Sequence, residues 1–414
     1  MKNIGAIRLL LSANFISGIA QGISMISIPA YFARTNQSNW FNVAYATITC
    51  VSLFWSLYGG TLIDKYNRKH IFLALNLFNG VAIGAIAYLD GMGVGDTSCW
   101  AAAVFALTFW NYNLHYPCFY AFMQEITEQE NYSKIASYIE IQSQLASALA
   151  GAAAALLIGG GIANFKIEPW SLSQIFALDA GTYFVSWAII YSMRFVPIVT
   201  RKKTSGTVGE RLKEGYIYLK ERPYVFLFGT VTHAVFVVVL LYVFNLAPVY
   251  VDQHLGAASE IFAISEVFYA IGATIAGLVI HKIFKGMSFV KAIIIMMFIS
   301  ILELIGLITM SQIWLFFLVS LLLGITNAGI RVLRVSYLFQ VLPNEIMGRA
   351  NSIFFLTNVC ARIVFLVLFS LAFFHHSGQV IYAFLILSGF LFICMGILMF
   401  FYSKVTLKKE LDRR

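Results

Sequence analysis

The chain has 414 residues, of which 60% are hydrophobic, 16% aromatic and only 11% charged, with a net charge of +9 and a mean hydropathy of +0.81. Soluble globular chains average about 45–50% apolar and about 25% charged, and disorder requires low hydrophobicity with high charge, so both classes are excluded. The composition is that of an integral membrane protein. Its basic residues sit between apolar runs, so no nucleic acid is expected as a partner.

Apolar runs fall at 7–32, 41–63, 71–89, 99–122, 135–159, 172–193, 223–250, 260–281, 288–310, 313–339, 350–373 and 379–402. One helical span takes about 20 residues, so an all-α protein with twelve transmembrane helices fits this length. Runs such as 292–297 and 319–323 do not alternate in polarity, which argues against the strands of a membrane barrel. The first run holds Asn14 and Gln21 and lacks a small-residue cleavage site. It reads as a first transmembrane helix rather than a signal peptide. The five cysteines form no CxxC pair, so neither a disulfide framework nor a metal site is indicated.

Charge orients these spans. Alternate loops carry Lys2 and Arg8, then Lys65, Arg68 and Lys69, then Lys134, a basic stretch at 194–222, Lys282, Lys285 and Lys291, Arg349, and the tail from Lys404. The intervening loops carry only Arg34 and Lys166. By the positive-inside rule both termini are expected in the cytoplasm. The longest loop divides the chain into a bundle at 1–194, a linker at 195–222 and a second bundle at 223–414. Its second half mixes charges with Leu212, Ile217 and Leu219, which suits either a short helix on the membrane surface or a solvated linker.

The two halves look related. Gly60-x-x-x-Asp64-Lys65 recurs about half a chain further on as Gly277-x-x-x-His281-Lys282. Asn111 and His115 recur as Asn327 and Arg331, Gln124 as Gln340, and Lys134-Ile-Ala-Ser137 as Arg349-Ala-Asn-Ser352. Four such matches at nearly one offset predict two pseudo-symmetric six-helix bundles. Parallel duplication of this kind is typical of secondary transporters.

The stretch Gly60-Thr-Leu-Ile-Asp64-Lys65-Tyr-Asn67-Arg68-Lys69 follows the second run. It closely resembles the signature Gly-x-x-x-Asp-Arg/Lys-x-Gly-Arg-Arg/Lys of the major facilitator superfamily, with Asn67 in place of the second glycine. Asn tolerates a left-handed backbone, so the turn is expected to survive that exchange. The chain looks nearest to the bacterial drug and siderophore exporters of the superfamily. The resemblance implies a cytoplasmic gate built from Gly60, Asp64, Lys65, Arg68 and Lys69. In it Asp64 docks near the start of the eleventh helix, around Gly348 and Arg349, and Arg68 meets Glu125, Glu128 or Glu130. The exporters' Gly/Pro-rich run on the fifth helix has a partial counterpart in Ser147, Gly151 and Ala155, without the proline, and close helix packing explains it.

Ionisable residues at membrane depth cost at least about 2.5–3.5 kcal/mol each, so each needs a reason. Here they are Glu140, Asp179, Glu266, Glu303, Arg331, Arg334 and Arg362, with His115 and His233 as titratable companions. Helical spacing puts Asn14, Ser17, Gln21 and Ser24 on one face of the first span, Thr108, Asn111 and His115 on the fourth, Asn327, Arg331 and Arg334 on the tenth, and Asn351, Asn358 and Arg362 on the eleventh. The resemblance implies that the first, fourth, seventh and tenth helices surround a central cavity. A substrate path is therefore expected along Asn14, Gln21, Asn111, His115, His233, Asn327, Arg331 and Arg362. Glu140, Glu266, Glu303 and Asp179 are candidates for ion coupling. Glu140 also suits an inner-gate contact, and Asp179 and Glu303 suit structural duty equally well. Arg334, near the cytoplasmic end, suits snorkelling. The run at 109–117, rich in rings and amides, suits an amphiphilic ligand or, equally, a Pro-kinked helix with lipid-facing rings. His375-His376 is too sparse for a metal site.

The expectation is a secondary active transporter that moves a small organic solute, anionic or amphiphilic, by alternating access. Coupling to protons or another ion, outward transport and a bacterial inner membrane complete it, with membrane lipid as a further partner. A lipid or lysolipid transporter and a non-transporting membrane sensor are the alternatives. No cofactor is expected, because GxxxxGK[ST] is absent, and an enzyme is not expected, because HExxH and GxSxG are absent too.

Overall fold

The computed structural model describes residues 3–128, 131–159, 161–162, 165–166, 168–198, 208–309, 311–342, 344–375 and 378–405. The chain forms two compact units. Unit 1 comprises Met1–Gln37 and Thr47–Ser205, and unit 2 comprises Ser38–Ala46 and Gly206–Arg414. Ten segments among the described residues are long and apolar enough to cross a bilayer.

Unit 1 contains α1 (Ile4–Arg34), most of α2 (Ser38–Lys65), α3 (Arg68–Gly91), α4 (Thr97–Ile126), α5 (Tyr132–Gly159) and α6 (Leu172–Ser192). α2 and α4 are not among the ten apolar segments, although their 28 and 30 residues give ample length. In α4 the reason is dilution by Asn111, Asn113 and His115. Helix starts follow local chemistry: Asp96 and Ser171 accept hydrogen bonds from the backbone N–H groups of Ser98 and Gln174. A two-residue antiparallel pairing of Gly161–Ile162 with Phe165–Lys166 joins α5 to α6. α1 packs on α5 and α6, and α3 on α4 and α6. Leu10, Phe72, Phe119, Phe122, Ile126 and Ile190 fill the core where these helices meet.

Unit 2 contains α7 (Val208–Lys220), the apolar segment Pro223–His254, α11 (Ser259–Ile283), α12 (Phe289–Thr309), α13 (Ile313–Val341), α14 (Asn344–Phe369) and α15 (Val380–Phe400). The segment Pro223–His254 is not the continuous helix that its hydropathy predicts. It consists of α8 (Pro223–Val231), a turn at Thr232 and His233, α9 (Ala234–Leu241), a π-helical turn at Tyr242–Leu246, α10 (Ala247–Val249) and a second π-helical turn at Tyr250–His254. Pro248 supplies one cause, because it has no N–H for the regular ladder. Turns of this type inside helices mark functional positions in many proteins. α11 and α13 approach backbone to backbone: a Cβ at Gly272 would run into the Leu321 carbonyl, and one at Gly324 into the Tyr269 carbonyl. Small residues permit such a crossing where lipid supplies no hydrophobic drive.

Candidate functional site

The loop after α2 ties three helix ends of unit 1 together. Asn67 has φ −64° and ψ 123°, an extended conformation and not the left-handed one expected from the missing glycine. Its amide oxygen instead caps α3, accepting from the Lys69 N–H at 2.9 Å. Lys69 Nζ donates to the carbonyls of Tyr191 (3.0 Å) and Met193 (2.7 Å) at the end of α6, where the helix dipole favours a cation. Arg68 Nη1 donates to the Ala121 carbonyl at 2.6 Å and to Glu125 Oε2 at 3.0 Å. Glu125 is buried, and its own carbonyl accepts from the Ile198 N–H at 2.9 Å. Asn3, which sequence reasoning passed over, donates from Nδ2 to the carbonyls of Ile126 (3.0 Å) and Val196 (2.7 Å). The surroundings of Gly60 and the side chains of Asp64, Lys65 and Glu140 lie outside the described residues, as do those of Glu130, His281, His376 and Gly348. Arg349, expected to receive Asp64, is paired with Glu214 of α7 at 2.6 Å.

Between the helices of unit 1 runs a buried polar chain. Asn14 on α1 donates from Nδ2 to Gln142 Oε1 on α5 at 2.8 Å, and its Oδ1 meets His115 Nε2 on α4 at 2.7 Å. The His115 ring is also set edge-on to Phe72, 4.9 Å between centroids. Asn111 Nδ2 donates to the Tyr183 hydroxyl at 3.3 Å. Gln21 is buried on α1. Farther along α1, Ser24 donates to Asp179 Oδ2 at 2.8 Å, and Asp179 is fully buried with no hydrogen bond to Oδ1. The aromatic run of α4 has protein partners as well: Trp110 Nε1 donates to the Ile48 carbonyl at 3.1 Å, and Asn113 to the Phe109 carbonyl at 3.1 Å.

Among the described residues of unit 2, some buried polar groups are hydrogen-bonded and others are not. The Tyr242 hydroxyl, in the first π-helical turn, bonds Ser320 at 2.9 Å and lies within electrostatic reach of Glu266 and Glu303. Glu303 is 4% exposed; Oε2 accepts from Thr326 at 3.3 Å, and Oε1 has no hydrogen bond. Glu266 is half-buried. Asn327 Nδ2 donates to the Tyr269 hydroxyl at 2.6 Å, and Arg331, one turn farther, is exposed on α13. Arg334 is buried and donates to the Thr232 carbonyl at 3.1 Å, so it does not snorkel. That bond helps open the ladder at the turn that holds His233, whose Nδ1 bonds the Gly229 carbonyl. Arg362 is 3% exposed, with its guanidinium 5.9 Å from the Tyr45 ring centre. The Phe244 ring touches the same Tyr45 edge-on, at 5.9 Å. Asn358, one turn before Arg362, and Asn245, next to Phe244, are both buried, and neither amide has a hydrogen bond at oxygen or nitrogen.

Among the described residues no group of three or more His, Cys, Asp or Glu side chains comes together to hold a metal ion. Each unit carries its own polar groups within apolar helices: in unit 1 a carboxylate on α6, and in unit 2 carboxylates on α11 and α12 and a guanidinium with unbonded amides on α14 and the broken segment. In membrane proteins such groups are candidates for a functional site. Sequence reasoning missed Asn245, Tyr45, Tyr242 and Gln142. Asn245 had a visible signal, as an amide three residues before a proline inside an apolar run.

Comparison with known proteins agrees with this architecture. The enterobactin exporter EntS of Shigella boydii serotype 4 (strain Sb227) is 24% identical over 372 residues, covering 87% of this chain and 83% of that protein. EntS of Escherichia coli O6:K15:H31 (strain 536 / UPEC) matches over the same extent. A bacterial homologue of the human lysosomal transporter Spinster, in its inward-facing and occupied conformation, shares the fold with a TM-score of 0.73 at 11% identity over 97% of both chains. The nucleoside transporter NupG does so with a TM-score of 0.72 at 12% identity, over 97% of this chain and 100% of that one. The family model of the Major Facilitator Superfamily matches residues 10–305. The chain, all-α and membrane-embedded, belongs to the Major Facilitator Superfamily of transporters.

Proposed function

We propose that this transporter exports a small polar organic solute with an anionic or strongly hydrogen-bonding group, driven by protons moving inward across a bacterial inner membrane. Both termini lie in the cytoplasm, and bundles at 1–194 and 223–414 are joined by a linker at 195–222. Export is supported by the exporter relatives. The solute class is supported by Arg362 beside Asn358, a fixed cation next to an amide whose donors and acceptor are uncommitted. Arg331, Asn327 and His233 extend this path in unit 2, and Asn14, Gln21, Asn111 and His115 contribute polar groups in unit 1. The Gly60, Asp64, Lys65, Arg68 and Lys69 motif acts as the cytoplasmic gate, with Arg68 held ready by Glu125.

The observation that carries proton coupling is Glu303, a buried carboxyl with one hydroxyl donor on Oε2 and nothing on Oε1. A buried charge is costly unless paired and hydrogen-bonded, so the charge state of such a group is tied to the opening of the helices around it. Asp179, fully buried with Oδ1 unbonded, is a further carrier of the same kind, the half-buried Glu266 is another candidate, and Glu140 belongs with the gate. The test is solute movement in proteoliposomes with and without a pH gradient. The wild type is expected to concentrate solute only with the gradient. Glu303→Gln is expected to abolish concentration while leaving exchange of solute for solute intact. Equal concentration by both proteins would overturn the assignment.

A further inference from the structure

The helix α7 has two unlike sides. One side packs on α14: Leu219 is 1% exposed, and a Cβ at Gly215 would stand 2.8 Å from Arg349 Cβ. The Glu214–Arg349 ion pair, at 2.6 Å, clamps that side to the start of α14. The other side presents Lys213, Tyr216, Ile217 and Lys220, all exposed. At about 100° per residue these four fall in one sector about 100° wide. Tyr216 is 54% and Ile217 46% exposed, large apolar surfaces flanked by two amines. The acids Glu210 and Glu214 lie to one flank of that sector, and Glu214 is engaged by Arg349.

The position of α7 is constrained as well. Only Glu221 and Arg222 separate Lys220 from Pro223, the first residue of an apolar segment long enough to span a membrane. Three residue steps reach at most about 11 Å. The elbow is further held by the Arg222 guanidinium, 3.9 Å over the Tyr218 ring. The C-terminal end of α7 therefore lies within about 11 Å of the start of that segment.

We propose that α7 binds the anionic phospholipid headgroups of the adjoining leaflet through Lys213 and Lys220, with Tyr216 and Ile217 entering the boundary between headgroups and acyl chains. Lysines flanking a Tyr/Ile face match that boundary in charge and polarity. In the sequence Arg201, Lys202 and Lys203 precede α7. Because Glu214 holds Arg349, α7 then anchors the beginning of α14 to the lipid surface.

Amide hydrogen exchange of the 208–220 peptide tests this in the intact protein and does not depend on transport. The wild type is placed in nanodiscs of phosphatidylcholine alone and of phosphatidylcholine with phosphatidylglycerol. Exchange is expected to be slower in the anionic discs, and the difference is expected to vanish in 1 M salt, where the Debye length is about 3 Å. Lys213→Gln and Lys220→Gln are each expected to remove about fivefold of the added protection. Equal exchange in the two lipids, or protection indifferent to both lysines, would overturn the proposal and leave α7 as a helix held by α14 alone.

Discussion

In unit 1 every buried amide among Asn14, Asn76, Asn79 and Asn111 donates from Nδ2, and Asn14 uses Oδ1 as well, although the Oδ1 atoms of Asn79 and Asn111 have no hydrogen bond. In unit 2, Asn245 and Asn358 are equally buried, at 3% exposure, and neither end of either amide is bonded. A buried polar group without a partner costs roughly 1–3 kcal/mol. Unit 1 thus uses its polar groups to hold α1, α4, α5 and α6 in register, as in its tied helix ends at Arg68, Lys69 and Asn3. Unit 2 carries two amides, Asn245 and Asn358, with neither end bonded, the latter a turn before Arg362 and the former on a helical segment already broken by π-helical turns. Groups of that kind gain whenever a hydrogen-bonding partner reaches them.

The sharpest test of the scaffold side is Arg68→Ala. It removes the Arg68 guanidinium from the buried Glu125, and breaking a buried pair costs up to about 3–5 kcal/mol. A large fall in thermal unfolding temperature is expected, whereas an unchanged melting curve would remove Arg68 from the scaffold. On the other side of the comparison, Arg362→Gln is expected to reduce transport roughly 10–100-fold, from the loss of a charged hydrogen bond, with little change in melting. Arg362→Lys is expected to recover part of it, because an amine lacks the guanidinium fork. Normal transport by Arg362→Gln would break the functional half of the comparison.

Two substitutions of like shape set the units directly against each other. Asn14→Leu strands His115 and Gln142 and is expected to lower stability by roughly 1–3 kcal/mol. Asn358→Leu strands nothing, so its melting temperature is expected to stay level or rise while transport falls. The paired measurement is a melting curve and a transport rate for each protein. If Asn358→Leu destabilised as much as Asn14→Leu, the unlike treatment of buried amides in the two units would not hold.

Much of the fold was legible beforehand because it follows from hydropathy. In a run such as 288–310 apolar residues far outnumber Lys291, Ser300 and Glu303, so in lipid the backbone satisfies its own hydrogen bonds as a helix, and α12 (Phe289–Thr309) is the result. The motif after α2 was legible as a family resemblance, but its local chemistry was not. Asn67 was read as a residue tolerant of positive φ, whereas it acts as a cap, a choice that depends on the backbone N–H of Lys69 lying free at the helix start. Arg334 looked like a snorkelling end residue, since its distance from the helix terminus was all that was visible. The Thr232 carbonyl that holds it lies about a hundred residues away, and no periodicity reports such a partner.

Composition and charge by themselves determined that this chain lives in a membrane as a bundle of helices, because lipid leaves the backbone no other way to satisfy its hydrogen bonds. They also brought the ionisable residues at membrane depth to notice, because each is expensive there. Only the tertiary structure decided which of them are settled and which are not. Asn14 and Asn358 are the same residue type in similar apolar runs, yet one lies between a histidine and a glutamine and the other has no partner for its amide. Hydrogen bonds reach only about 3 Å, so whether a buried amide is satisfied depends on which distant helix the packing brings beside it.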